Sequence, residues 1–96
     1  RILGAASDDV HAGESETSLM QHLAPDQVTD ERTDHVPDLG QIFFDYLPIK
    51  EFCPEGVWGR PSLATPEKGR DLLSAMIRQT AARVEETFAR IEALGS

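Results

Sequence analysis

Cysteine is nearly absent from this sequence. Cys53 is the single one, so no disulfide can close within the chain, and one free thiol suits a reducing compartment. Clustered cations are missing as well. Lys and Arg number 9 against 17 Asp and Glu, for a formal net charge of −8. That leaves no basic face for nucleic-acid phosphates or for polybasic contact with a membrane surface. No apolar run approaches the ~20 residues that span a bilayer, and the first residues lack a charged-then-apolar leader. These absences predict a cytoplasmic protein with no nucleic-acid or membrane partner. The length, 96 residues, allows one small domain of marginal stability and not two. The chain opens on Arg1 rather than Met, so we expect a piece cut, trimmed or numbered from inside something longer.

What is present is a helical pattern at both ends and a turn-rich middle. Ile2 to Ala6 is a short apolar start, the end of a strand or a loop leaving one. A helix over about 14–24 follows, with Glu14 and Glu16 in its first turn, where acids favour the helix dipole. Leu19, Met20 and Leu23 form its apolar face and Pro25 stops it. From Pro25 to Gln41 the chain is polar and acidic, a connection longer than the ~4–6 residues usual in compact domains. It is expected to lie over a surface this chain does not itself supply. Ile42 to Leu47 reads as a short strand or a docking apolar loop. Thr65-Pro66-Glu67 opens a long helix over about 66–94, with Thr as N-cap and Pro at the first position. Leu73, Met76, Ile77, Thr80, Val84, Phe88 and Ile91 make one apolar stripe along it. No other segment is long enough to cover that stripe, so a missing part of the protein or another copy is expected to do so.

The densest chemistry lies in Asp8-Asp9-Val10-His11-Ala12-Gly13-Glu14-Ser15-Glu16-Thr17-Ser18. Imidazole and carboxylate are the usual ligands of Zn²⁺ and Mn²⁺, and histidine is the commonest general base near neutral pH. By composition and spacing alone the cluster reads first as a capped helix start with an exposed histidine.

Its pattern goes further. His11-Ala12-Gly13-Glu14-Ser15-Glu16-Thr17-Ser18-Leu19-Met20 resembles the H-A/G-G-x-x-E-T-S-L-M motif of the creatininase family, and Leu23 to Val28 is similar to that family's exit from the same helix. Gly56-Val57-Trp58-Gly59-Arg60-Pro61 with Ala64-Thr65-Pro66-Glu67-Lys68-Gly69 resembles its C-terminal G-V-x-G-x-P…A-T-x-E-K-G signature. The resemblance covers nearly the whole chain, 1–96, as the C-terminal segment or subunit of a single domain. It implies an α/β fold: three α/β/α layers, a mostly parallel sheet and a site for two divalent metals, Zn, Mn or Fe. It also implies hydrolysis of a C–N amide bond, in a cyclic amide, a formamide or similar, by metal-activated water. In the family most ligands come from an N-terminal part, through an E-x-H-G stretch, an aspartate and an N-G-H segment. None of these occurs here, so activity is expected only with that portion or a second chain supplying it, and a homo-oligomer of the assembled unit is expected.

Two residues match the family's functional positions. His11 corresponds to the histidine assigned to proton transfer or substrate contact. Glu16 corresponds to the motif glutamate, a metal ligand or the partner of one. Ser7 and Asp9, just upstream, are candidate substrate contacts. Members acting on creatinine carry Trp and Glu where this sequence has Ser7 and Val10, which points to another amide. His22 and His35 are expected to be solvated, Cys53 unreactive, and Trp58 and Phe43-Phe44 packing residues. The alternative function is a non-catalytic helical interaction module derived from the family.

Overall fold

The computed structural model describes residues 1–95. Both expected helices form: α1 spans Glu14–Leu23 and α3 spans Pro66–Gly95. A single turn, α2, covers Ile49–Phe52. Short 3₁₀ turns at Ala6–Asp8, Pro25–Gln27, Gln41–Asp45 and Pro61–Leu63 fill the connections. The helical half of the expected α/β architecture is therefore present, and the sheet is not. Among the described residues no strand forms, and the β pairing is confined to two antiparallel bridges, His11 with Trp58 and His35 with Gly59. A parallel strand needs flanking strands to take its hydrogen bonds. Segments 2–6 and 42–47 have none among the described residues, and each bends into a 3₁₀ turn instead.

The acids of the α1 first turn divide into two roles. Glu16 sits where a dipole-stabilising acid belongs and is exposed. Glu14 is fully buried. Its carboxylate accepts the Gly4 amide through both oxygens, at 3.0 and 2.8 Å, and the Ala5 amide at 3.0 Å. Lys68 Nζ of α3 donates to Glu14 Oε2 at 2.7 Å and to the Leu63 carbonyl at 2.6 Å. A buried carboxylate is tolerated only when paired and hydrogen-bonded, and here one acid fastens the N-terminal segment, α1 and α3 together.

The two helices touch through a second contact of backbone on backbone. A Cβ at Gly69 would lie 1.9 Å from the Ser18 carbonyl oxygen, so only glycine lets α3 approach α1 this closely. Ser18 is itself buried, and its hydroxyl accepts the Thr65 amide at 3.2 Å. Thr65 in turn caps α3, its Oγ1 accepting the Lys68 amide at 3.1 Å, as its sequence predicts.

A separate small core lies under the turn-rich middle. Phe52, Cys53 and Trp58 are buried, with Val10 packed on them. Phe44 meets Phe52 edge-on at 5.6 Å and Trp58 at 5.2 Å, so it packs as expected, while Phe43 leans on Tyr46 at 6.5 Å. Burial pushes the Cys53 thiol pKa up, against the thiolate that reactivity requires.

The rest of α3 projects. Met76, Ile77, Val84, Phe88 and Ile91 are 50–61% exposed, so the stripe read from the sequence stays uncovered by this chain. The Cα radius of gyration is 17.2 Å, against roughly 12 Å for a compact chain of this length. Among the described residues no helix is long and apolar enough to cross a membrane.

Two outcomes follow from the α1–α3 junction. Gly69→Ala forces the helices apart or shifts α1, and is expected to cost at least about 1–3 kcal/mol, read as a lower denaturation midpoint in the fluorescence of Trp58. Acid sensitivity should centre on Glu14. Burial raises its pKa, but the Gly4 amide, the Lys68 ammonium and the Ala5 amide outweigh that and hold it below the ordinary value. A depressed carboxylate stabilises the fold above its unfolded pKa, and the contribution is lost as pH falls through the folded one. The midpoint should hold steady down to about pH 5 and fall below roughly pH 4.3, the ordinary Glu value. In Glu14→Gln that acid-dependent loss should be largely gone, from a lower starting stability.

Candidate functional site

The predicted site residues sit at the junction between the two cores. Residues 57–59 run between the His11 segment and the His35 segment. His11 and Trp58 exchange both backbone hydrogen bonds at 2.9 Å, and the Val10 amide also donates to the Trp58 carbonyl at 2.9 Å. On the other side the His35 amide donates to Gly59 at 3.0 Å and the Gly59 amide returns a bond at 2.8 Å. The buried Trp58 indole thus anchors the backbone that carries His11. His35 is exposed, as expected, and its Nε2 also donates to the Phe52 carbonyl at 2.7 Å.

Close approach at this crossing again depends on glycine. A Cβ on Gly59 would stand 2.7 Å from the Gly13 Cα, and one on Gly13 would meet Asp9 Oδ1 at 2.1 Å. Between His11 and α1 the chain turns sharply, with Ala12 at φ 50°, a left-handed conformation that costs a non-glycine residue on the order of 1 kcal/mol. Glu16 steadies it: Oε1 accepts the Ala12 amide at 2.6 Å, a variant of the capping box in which a third-position acid reaches back past the helix start.

His11 and Glu16 come together. Nδ1 of His11 lies 3.9 Å from Glu16 Oε1, and both side chains are more than half exposed. They line one cleft of about 410 Å³, together with Thr17 and Met20 of α1, Glu31 and Arg32 of the acidic segment, and Val57. The volume falls in the ~300–1,000 Å³ range of small-molecule sites. The segment after Pro25 is therefore not laid over an absent surface alone. It forms one wall of this cleft and is pinned to the chain by Asp34, whose Oδ1 accepts the Ser62 amide at 2.9 Å. The Ser62 hydroxyl chiefly holds the Asp34 pKa down against partial burial, helped by the Ser62 amide and the Arg60 charge.

The structure does not bring Ser7 or Asp9 to the cleft. Ser7 is exposed in the Ala6–Asp8 turn. Asp9 caps α1: its Oδ2 accepts both the amide, at 3.3 Å, and the hydroxyl of Ser15. His22 is exposed on α1, as expected. Sequence reasoning passed over Lys68 and Arg32. Lys68 lay inside a quoted motif without a role, because a charge partner 54 positions away leaves no local signal. Arg32 lay in a stretch with no periodicity.

Residues 2–84 match the creatininase family, described as creatinine amidohydrolase. The chain belongs to that family. It is also 30% identical over 89 residues to the mycofactocin precursor peptide peptidase of Mycobacterium ulcerans (strain Agy99), an alignment covering 84% of this chain and 34% of that protein. The chain thus spans about a third of the length of this curated relative. No solved structure matches it significantly. Family and relative are both named as hydrolases of amide or peptide bonds.

Against a divalent metal, the cleft offers an imidazole and a carboxylate, the right donor chemistry. One oxygen of Glu16 is already engaged by Ala12. Among the described residues no group of three or more His, Cys, Asp or Glu side chains converges. His11 and Glu16 are donors of the right chemistry, two in number, and the described residues bring no third beside them.

Proposed function

We propose that this chain is the C-terminal segment of a metal-dependent amidohydrolase that cleaves a C–N amide bond, with His11 as the proton-transfer residue. The observation that carries the reading is the pairing of His11 with Glu16 on one open cleft, at 3.9 Å, from a motif inside the family match. Imidazole can take a proton from an attacking water and return it to the departing amine nitrogen near neutral pH. Glu16 keeps its contact with the Ala12 amide and thereby holds the turn that aims His11 into the cleft. Its Oε2, which has no protein hydrogen bond among the described residues, is the atom available as a ligand or as the partner of one. Divalent metal, two ions of Zn, Mn or Fe per site, would supply an acidified water and a polarised carbonyl. The remaining ligands come from an N-terminal portion or a second chain carrying the E-x-H, Asp and N-G-H elements, in a unit that assembles with copies of itself. A peptide or related amide is a better candidate than creatinine, given the peptide-processing relative.

One observation favours the alternative of a non-catalytic helical module: the uncovered apolar stripe on α3, which extends past the end of the family match at residue 84. A single experiment separates the two. The segment, assembled with its N-terminal portion, is offered formamides, cyclic amides and short peptides. His11→Ala should lower turnover by about 10²–10⁴-fold with the fold intact by Trp58 fluorescence. Chelation should abolish turnover, and Zn²⁺ or Mn²⁺ should restore it. Activity indifferent to His11→Ala would sink the catalytic assignment, and no turnover under any metal would favour the module.

A further inference from the structure

α3 packs on α1 through its first turns, at Lys68 and Gly69. From Met76 onward every described residue of the helix is exposed, so about twenty residues project, roughly 30 Å of helix at about 1.5 Å per residue. That arm carries a seam. Ile77, Val84 and Ile91 recur every seven residues, the period that keeps one face of a helix against a partner helix. Met76, Phe88 and Leu94 flank them, and all six are half or more exposed. β-branched residues at such central positions favour two strands running in parallel. Thr87, which borders the seam, donates its hydroxyl to the Arg83 carbonyl of its own helix at 2.7 Å. It therefore enters an apolar contact without an unpaired polar group.

Charge selects the partner. The whole chain carries −8, yet the arm balances three arginines, Arg78, Arg83 and Arg90, with three glutamates, Glu85, Glu86 and Glu92. At about 3.6 residues per turn, Arg83 and Arg90 border the seam on one side and Glu85 and Glu92 border it on the other. Two copies laid side by side in the same direction bring the basic border of each against the acidic border of its neighbour. Arg83 then meets Glu85 across the pair, and Arg90 meets Glu92. Antiparallel copies would set arginine against arginine and glutamate against glutamate. Arg90 holds Glu86 of its own helix at 3.1 Å, an exposed pair weak enough to exchange. We propose that α3 is a self-association arm: a second copy of this chain covers the stripe, parallel and in register, through Ile77, Val84 and Ile91. The pairing needs no hydrolysis and stands apart from the catalytic reading.

The test is native mass spectrometry with sedimentation on the intact polypeptide that carries this segment. Buried Trp58 fluorescence checks that each variant folds. Wild type should be a dimer or a larger even-numbered assembly. Val84→Asp, a carboxylate at an exposed helix position, should separate the paired units and leave the fold unchanged. Arg83→Glu should weaken pairing by about 3–10-fold, and adding Glu85→Arg should restore it, since the swap rebuilds the cross-pair with its signs exchanged. Ile91→Cys reads direction. Parallel copies bring the two thiols together, and mild oxidation should cross-link them, whereas antiparallel copies centred on Val84 hold them roughly 20 Å apart. Wild type, whose Cys53 is buried, should not cross-link. A monomeric wild type overturns the proposal, because another part of the polypeptide then covers the stripe. So does an assembly that Val84→Asp leaves intact, a charge swap that restores nothing, or an Ile91→Cys variant that stays uncross-linked. Because no readout uses turnover, an inactive protein that still pairs sinks the amidohydrolase reading and leaves the arm standing.

Discussion

One buried carboxylate organises the described structure. Glu14 is shut off from water at the start of α1, and it draws three otherwise separate pieces to itself: the Gly4–Ala5 backbone, its own helix and Lys68 of α3. Desolvating an acid is unfavourable enough that each of these donors is obligatory. Once they are in place, α3 can only lie where Gly69 passes the Ser18 carbonyl. The helix pair then presents residues 14–20 of α1 at a defined angle, and the cleft opens along that edge. A small chain with few core residues gains specificity from such a junction more than from apolar area.

The two family signatures turn out to be two halves of one device. Ser18 from the first motif accepts the Thr65 amide and stands against Gly69 of the second. Trp58 from the second bonds both backbone groups of His11 from the first. These contacts join the two motifs across about forty residues of weakly patterned chain. Residues that look like decoration around the histidine have a steric role: Gly59 passes the Gly13 backbone too closely for a Cβ, and at Gly13 the Asp9 carboxylate fills the space a Cβ would need.

Function in this chain is unevenly placed. His11, the proposed proton-transfer residue, and its partner Glu16 lie on an exposed edge, whereas the best satisfied acid, Glu14, is structural. Acidic residues in one short motif therefore do three different jobs. Asp9 caps, Glu14 locks and Glu16 holds the turn beside His11. The apolar face of α3 is left uncovered by the described residues.

The sequence by itself determined the two main helices, the N-cap of α3, the inert cysteine, the packing role of Trp58 and the family. All of these are local or motif-encoded, written in periodicity, in Thr-Pro-Glu at a helix start and in contiguous signatures. It also marked His11 and Glu16 as the pair to watch. Only the tertiary structure decided which carboxylate is buried, that Asp9 turns away to cap α1, that His35 is pinned to Phe52, and that Arg32 lines the cleft. Each depends on partners between 6 and 54 positions away, or on a cavity wall built from separate segments, and no pattern within a few residues encodes such meetings. The sheet expected from the family belongs to the same class: strand pairing is a contact between distant segments, and among the described residues those partners do not occur.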